Sequence, residues 1–364
     1  MVRRGETARE LSGLLKRLRS SPDDVEALRE LARVYKGSRR HGDAVVVLQQ
    51  LLGKRPTDVD AMLECGACYL ELGLLDAAKM EFERALRAAP ASAAAHFSLG
   101  RVHERLGSHE RAVECHERAI ELAPEDPEPY YRLGVTLAAA RDYEGAERCY
   151  RNAVRVDPGC AKARTNLGFV LDQIGRSDDA VLELKRAIEI DPDRIERHLN
   201  LGAIYGDRGM LADAINEFRK AVEIDPASAE AHFNLGAALL SSGMEDGALT
   251  ELSLATKYAP ENAEAHYALG VVLSRKGMFG RAVAAFQRVV TLKGETVDVS
   301  YQMGVALTSL DRLEDAERYL RRAADAEPND ARIHYQLGLV MDRLGRDGDA
   351  VASYRRADEL LTKP

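Results

Sequence analysis

The chain has 364 residues, of which 46% are hydrophobic and 30% charged, a composition typical of folded proteins rather than disordered ones. Its 51 basic and 59 acidic side chains leave a net charge of −8, which argues against a nucleic-acid partner because such proteins present basic surface to the phosphates. No stretch approaches the roughly 18 consecutive apolar residues of a membrane span, so we expect no direct membrane insertion.

The first 24 residues predict a single helix that precedes the rest of the fold. Residues 7–19 place four leucines on one stripe of that helix, at positions 11, 14, 15 and 18. The segment lacks the apolar core of a secretory signal, so we do not expect a leader here. We interpret residues 1–24 as an N-terminal capping helix, because the first member of a repeat array needs a polar outer face.

From residue 25 to residue 364 the sequence repeats every 34 residues without an insertion, which gives ten tandem repeats. The repeats begin at residues 25, 59, 93, 127, 161, 195, 229, 263, 297 and 331. Proline recurs with the same period, at positions 22, 56, 90, 124, 158, 192, 226, 260 and 328. Gly294 stands where the series lacks its proline.

Each repeat predicts two helices, as repeat six shows. Its first helix places Leu201, Ile204 and Tyr205 on one face. Its second helix ends before Pro226, which lacks an amide hydrogen and clashes with the preceding turn. Two residues after the proline, Ser228 is suited to accept hydrogen bonds from the first-turn amides of the next helix. Small residues at the glycine and alanine slots let the two helices approach closely.

Repeats four and nine depart from this pattern. Repeat four has Arg141 at the slot where most repeats have the glycine that ends the first helix. Repeat nine has Asp311 at that slot, Ser300 at the bulky first-helix slot and Met303 in place of leucine. It is also entered through Gly294 without a proline, so we expect a flexible joint near residue 294.

A 34-residue period with Leu-Gly, alanine, an aromatic residue, alanine and proline at fixed slots resembles the tetratricopeptide repeat family over residues 25–364. The resemblance implies an all-α fold, a right-handed superhelical α-solenoid of antiparallel helix pairs. It also implies a concave groove, lined mainly by the first helix of each pair, that holds extended peptides or partner helices.

The cysteines and histidines occupy repeat slots, which argues against a metal or redox site. Cys65 and Cys68 have the spacing of half a zinc site, but they fill core slots and no second such pair exists. Five histidines share one first-helix slot, at positions 96, 198, 232, 266 and 334. Equivalent atoms of neighbouring repeats lie about a helix width apart, ~8–10 Å, too far for shared zinc bonds of about 2.0–2.1 Å. We therefore expect no metal, no cofactor and no catalytic residue.

Three consecutive repeats carry asparagine just before their Leu-Gly pair, at Asn166, Asn200 and Asn234, a slot that faces the groove in this fold. This series resembles the asparagine ladder in the superhelical repeats of O-linked N-acetylglucosamine transferase. A side-chain amide both donates and accepts hydrogen bonds, so such a ladder can hold a peptide backbone regardless of its sequence. The alternative is that these amides are solvated and bind nothing.

One residue earlier runs an aromatic series that includes Phe233, Tyr267, Tyr301 and Tyr335. A tyrosine-rich concave wall would bind apolar or amphipathic side chains of a peptide. The alternative is that these rings serve only the packing of one repeat on the next.

Three cations, Arg101, Arg132 and Lys162, fall on a diagonal across successive repeats of the groove. The diagonal is similar to the carboxylate clamp of chaperone-binding tetratricopeptide domains, although Val135 and Phe169 stand where that clamp would have asparagine. We predict a cluster that binds a carboxylate of a partner. The alternative is three separate solvated cations, each paired with a nearby glutamate.

The second helix of repeat ten carries apolar side chains with no helix after them. These are Val351, Tyr354, Leu360 and Leu361. Because an uncovered repeat face exposes apolar surface, we predict self-association or a bound partner helix at this end.

Together these features predict a non-catalytic protein-interaction scaffold or adaptor that binds peptides or helices in its groove. The alternatives are a regulatory or substrate-recruiting part of a larger enzyme, and a peptide-sensing regulator. An odd number of cysteines, five, favours reduced thiols and a cytoplasmic location. The composition, rich in alanine, arginine and aspartate, suggests a bacterial source.

Overall fold

A computed structural model of the chain describes residues 2–362, and every regular element within them is an α-helix. The predicted all-α fold is confirmed. The helices are α1 (Val2–Ser20), α2 (Val25–Gly37), α3 (His41–Lys54), α4 (Val59–Glu71), α5 (Leu75–Ala88), α6 (Ala93–Arg105), α7 (His109–Leu122), α8 (Pro127–Ala139), α9 (Tyr143–Val156), α10 (Ala161–Gln173), α11 (Ser177–Ile190), α12 (Ile195–Asp207), α13 (Leu211–Ile224), α14 (Ala229–Ser241), α15 (Glu245–Tyr258), α16 (Ala263–Arg275), α17 (Phe279–Lys293), α18 (Val297–Ser309), α19 (Leu313–Ala326), α20 (Ala331–Arg343) and α21 (Asp347–Leu361).

The chain divides into two compact units, which we call unit 1, up to Ile190, and unit 2, from Asp191 onward. In each unit the helices follow one another as packed pairs, and the second helix of a pair also packs on the first helix of the next pair. In unit 2 the first helices of neighbouring pairs, α12, α14, α16, α18 and α20, are also in contact. Successive first helices therefore line one continuous face within unit 2, and the packed pairs of both units have the arrangement of a helical solenoid.

In eight of the ten pairs, a polar residue two positions after the proline slot caps the first helix, whereas α10 and α12 have no side-chain cap. The side chain of each such residue accepts a hydrogen bond from a first-turn amide of its helix. These residues are Asp24, Asp58, Ser92, Asp126, Ser228, Asn262, Thr296 and Asp330. The bonds satisfy amides that otherwise lack a partner inside the helix, so they fix where each pair begins.

The first helix of most pairs ends in a left-handed residue, usually glycine, such as Gly175 at φ 79° in unit 1. Arg141 adopts the same conformation at φ 63°, where its Cβ approaches the following carbonyl oxygen. We expect Arg141→Gly to raise the stability of unit 1 by about 1 kcal/mol, because it relieves this strain. Urea unfolding followed by circular dichroism measures the change. Gly175→Ala is the matched control and should shift stability in the opposite direction.

The backbone conformation at the entry to repeat nine differs from that at the proline slots of the other repeats. Helix α17 continues to Lys293, Gly294 lies at φ 87° and ψ 179°, and Thr296 caps α18. Proline cannot adopt a positive φ, which explains why the slot holds glycine. The flexible joint near this residue stays a prediction.

None of the described helices has both the length and the apolar character needed to cross a membrane. The predicted capping helix corresponds to α1, whose Leu11, Leu14 and Leu18 pack against the core formed with α2. Leu15 on the same helix is exposed, so the leucine stripe is only partly covered.

Candidate functional site: an apolar groove in unit 2

An open groove of about 460 Å³ runs along the first helices of unit 2. Its apolar lining comes from Phe233, Ala237 and Leu240 on α14, from Tyr267 and Ala268 on α16, and from Val299 on α18. Three charged side chains also line it, those of Glu264, Lys293 and Asp298. This is the kind of concave apolar surface, with a few polar groups at its edge, that binds ligands.

The groove follows from the spacing of residues on one helix. Glu264, Tyr267 and Ala268 are three and four positions apart on α16, so their side chains share one face. The 34-residue period carries the same positions to α14 and α18. Unit 2 therefore presents parallel rows of side chains, one from each helix position, along its first helices.

The aromatic row consists of Phe233, Tyr267, Tyr301 and Tyr335. Its tyrosine rings pack against other rings and keep part of their surface accessible. The Tyr267 ring lies 5.9 Å from the ring of Phe286 and is half-buried. The Tyr335 ring lies 5.6 Å from that of Tyr354 but remains 52% exposed. Burial raises the pKa of Tyr267, so its hydroxyl stays protonated. Tyr267 thus both packs on Phe286 and lines the groove, whereas the binding of a peptide by either tyrosine stays a prediction.

Phe233 and Tyr301, the other two members of the aromatic row, are also partly buried. Phe233 is half-buried and lines the groove directly. Tyr301 is also half-buried, and burial raises its pKa. The guanidinium of Arg332 lies 5.7 Å from the centre of the Tyr301 ring, a cation–π distance.

The three predicted asparagines fall in different units. Asn200 and Asn234 are half-buried on α12 and α14 of unit 2. Asn166 is half-buried on α10 of unit 1, where its amide donates a hydrogen bond of 3.3 Å to the hydroxyl of Tyr150. A role of these amides in holding a peptide stays a prediction.

In unit 1 the three predicted cations each face a glutamate of the chain. Lys162 forms a short ion pair with Glu128, whose other oxygen lies 3.5 Å from Nε of Arg132. Arg101 lies 3.9 Å from a carboxylate oxygen of Glu71. The structure thus brings Arg132 and Lys162 together at one carboxylate. A partner's carboxylate would have to compete with these internal ones, and its binding stays a prediction.

Arg132 also faces a buried network that the sequence did not reveal. Nε2 of the fully buried His116 lies 3.0 Å from Glu104, and the hydroxyl of Thr136 donates to the same oxygen at 3.1 Å. Burial by itself raises the pKa of Glu104, but the hydrogen bond and charge of His116, followed by Arg132 and Thr136, lower it below its usual value. The available signal was His116 itself, a polar residue at a slot that holds Tyr150 in the next repeat.

The five histidines that share one first-helix slot contact the backbone of the loop before their helix. Nε2 of each of these histidines lies 2.8–3.2 Å from the carbonyl oxygen of the proline six residues earlier. The histidines are His96, His198, His232, His266 and His334. Packing was predicted for this slot and the hydrogen bond was missed, although the constant six-residue spacing was visible in the sequence.

At two of these slots the second ring nitrogen faces a carboxylate. Nδ1 of His198 lies 2.7 Å from Glu217, and Nδ1 of His232 lies 2.6 Å from Glu251. Burial raises the pKa of Glu217, but the hydrogen bonds from His198 and Lys220 outweigh this and lower it overall. The corresponding residue in unit 1, Arg164, contacts its own proline carbonyl and glutamate in the same way.

The cysteines of the chain are all free thiols, and Cys65 and Cys68 are fully buried in the core. Burial raises the pKa of Cys65 to about 12 and also raises that of Cys68. Both are therefore protonated and unreactive at neutral pH. Within residues 2–362 no group of three or more His, Cys, Asp or Glu side chains is placed to hold a metal ion.

The apolar residues predicted to mediate self-association differ in exposure. Val351 is 56% and Leu361 75% exposed, whereas Tyr354 and Leu360 are half-buried. The predicted self-association at this helix stays a prediction.

Comparison with family models gives three matches. Residues 3–269 match the model described as the C-terminal domain of cilia and flagella-associated protein 70. Residues 246–295 and 273–339 match two models that are both described as tetratricopeptide repeat. Comparison with curated proteins gives no significant match.

Solved structures resemble the chain in fold. PilF of Pseudomonas aeruginosa superposes with a TM-score of 0.52 at 16% identity, over 57% of this chain and 94% of PilF. MamA gives a TM-score of 0.44 at 27% identity, over 46% of this chain and 92% of MamA. YrrB, described as a TPR protein with an unusual peptide-binding site, gives 0.44 at 24% identity, over 50% of this chain and 95% of YrrB. The PilF superposition supports the fold alone, and the two lower scores support nothing further.

Proposed function

The chain belongs to the tetratricopeptide repeat family described as the C-terminal domain of cilia and flagella-associated protein 70, and from this premise we propose that it is a non-catalytic protein-interaction scaffold. The ligand is a peptide segment of a partner protein, held in the groove of unit 2. One observation carries the proposal: an accessible apolar groove whose floor consists of half-exposed aromatic rings and small alanines.

The chemistry of the groove suits an extended peptide. Phe233 and Tyr267 offer large apolar surfaces that lose little conformational entropy on binding, and such residues dominate the energy of protein interfaces. Ala237 and Ala268 line the same groove, and their small side chains leave room for a ligand side chain. We propose that the amide of Asn234, one residue after Phe233 on α14, bonds the peptide backbone.

The proposal is tested by selecting binders from a display library of random twelve-residue peptides. We expect the selected peptides to bind at least about tenfold more weakly to Phe233→Ala, because truncating an aromatic anchor removes a large part of the binding energy. Ala268→Arg should have the same effect by filling the groove, without removing any aromatic packing. Fluorescence anisotropy with labelled peptides measures both.

Met244→Ala is the matched control, since Met244 is an exposed apolar residue at the start of α15 and does not line the groove. It should bind the peptides as the unmodified protein does. Peptides that bind equally well to all of these variants would show that the groove is not the binding site. Circular dichroism confirms that each variant remains helical.

A further inference from the structure

A row of carboxylates, which we call the acidic edge, runs along the first helices of unit 2, and two of its members line the groove. They stand at the second position of four successive first helices, α12, α14, α16 and α18. These residues are Glu196, Glu230, Glu264 and Asp298, and all four are exposed. Glu264 and Asp298 line the groove together with Tyr267, so the acidic edge and the aromatic floor belong to one surface.

The chain itself neutralises little of this edge. Among the described residues Glu196, Glu230 and Asp298 form no ion pair. Glu264 pairs with Lys293 at 2.8 Å, but both side chains are more than half exposed, and a pair in water contributes little. The stretch that holds Glu230 and Glu264 is also acidic, with eight Asp or Glu and a single Lys between residues 221 and 270.

Neighbouring cations are engaged elsewhere. Arg332 on α20 is a cation whose charge interacts with that of Asp298. It is paired with Asp330 and stacked on the Tyr301 ring. The pKa of Arg332 is raised mainly by its hydrogen bond to Asp330 and only in small part by Asp298. The acidic edge is therefore available to an external cation, in contrast to the groove cations of unit 1, which each face a glutamate of the chain.

Building on the proposed peptide-binding function, we propose that the ligand of unit 2 is an extended basic segment of a partner protein, with lysine or arginine at about every third residue and apolar residues between. Charge complementarity with the acidic edge selects the basic residues, and the apolar floor selects the residues between them. The first helices of neighbouring pairs are in contact, which spaces the carboxylates by about 8–10 Å. A peptide in the extended polyproline II conformation advances about 3.1 Å per residue with three residues per turn, so every third side chain faces the same way and three residues span one interval.

The acidic edge and the aromatic row can contact the same basic side chain of a ligand. Glu264 and Tyr267 lie one turn apart on α16 and present a carboxylate beside a ring. The methylene stem of a lysine or arginine can cover the ring while its charged end reaches the carboxylate. An acidic or neutral peptide of the same shape gains only the contact with the ring.

The test compares three labelled twelve-residue peptides, which repeat Lys-Val-Ser, Gln-Val-Ser or Glu-Val-Ser four times. We expect the lysine peptide to bind about tenfold more tightly than the glutamine peptide, with the glutamate peptide weakest. The advantage of the lysine peptide should fall as salt is raised, because these ion pairs are exposed. A lysine peptide of the same composition with its lysines clustered should bind more weakly than the spaced one.

The acidic edge is tested by the triple variant Glu230→Gln, Glu264→Gln and Asp298→Asn, which should remove the preference for the lysine peptide. The control triple variant, Glu223→Gln, Glu245→Gln and Glu261→Gln, changes the net charge of unit 2 equally at residues outside the groove lining and should keep the preference.

Equal binding of the three peptides, or equal loss in both triple variants, would overturn the basic ligand and leave groove binding intact. Absence of binding by any of these peptides and by any library peptide would overturn both proposals.

Discussion

Replacing Gly202 with alanine is expected to destabilise unit 2 by about 1–3 kcal/mol, the effect of overfilling a packed interior. A Cβ added at Gly202 on α12 would lie 2.6 Å from Cε1 of Phe218 on α13, closer than real Cβ contacts. The Phe218 ring is only 5% exposed, so it has no free space to move into. The two helices of the pair would have to separate. Urea unfolding followed by far-ultraviolet circular dichroism measures the loss.

The same helix supplies the control. An added Cβ at Gly206, one turn later on α12, has no atom within 4 Å. Gly206→Ala should therefore be neutral or stabilise the unit by up to about 1 kcal/mol, because alanine favours helix more than glycine does. If both variants were destabilised alike, the close approach to Phe218 would not be the cause of the loss at Gly202, because Gly206 lacks such a contact.

The features of the fold that the sequence predicts are those with local causes. The proline slots and the polar caps after them act within a few residues of their own position, and the glycines inside the first helices act within their own helix pair. Ser228 illustrates this, since its place two residues after Pro226 predicts a cap and its hydroxyl accepts from the amide of Ala231. Gly202 is similar, because a small residue at a helix contact predicts a bulky neighbour such as Phe218.

The side-chain networks could not be predicted in the same way. The repeat period determines the helix position of each residue. It does not determine which of several nearby opposite charges becomes its ion-pair partner. Lys162 was placed correctly on its helix, yet its pairing with Glu128, 34 residues earlier, depends on the distance between two helices. The imidazole of His116 inside the aromatic slot likewise finds Glu104 only once the pair is folded.

The division into two units has no sequence signal. The 34-residue period runs unbroken through Ile190 and Asp191, where unit 1 ends and unit 2 begins. The joint near Gly294 lies inside unit 2 and stays a prediction. The predicted asparagine series crosses this boundary, because Asn166 belongs to unit 1 and Asn200 and Asn234 belong to unit 2. The groove residues Phe233 and Tyr267, in contrast, were predicted and lie together in unit 2.

Arg164→Met is expected to destabilise unit 1 by about 2–4 kcal/mol, because it leaves a buried carboxylate without its main partner. Arg164 on α10 donates to Glu183 on α11 at 2.5 Å, and the two side chains are only 12% and 11% exposed. The guanidinium also donates two hydrogen bonds to the carbonyl oxygen of Pro158. This one side chain therefore joins both helices of a pair to the loop before them, and urea unfolding measures what its removal costs.

Two further variants identify the cause of that loss. Arg186→Met removes another cation from Glu183, at 2.7 Å, but Arg186 is 49% exposed, so the change should stay below about 1 kcal/mol. The double variant Arg164→Met and Glu183→Met replaces the buried pair with apolar side chains, so it should lose clearly less than Arg164→Met alone. A double variant as unstable as the single one would show that Arg164 acts through the carbonyl of Pro158 and its own packing. In that case the buried carboxylate of Glu183 would not be the source of the loss, and the corresponding contacts of His198 and His232 in unit 2 would be understood as anchors of their proline loops.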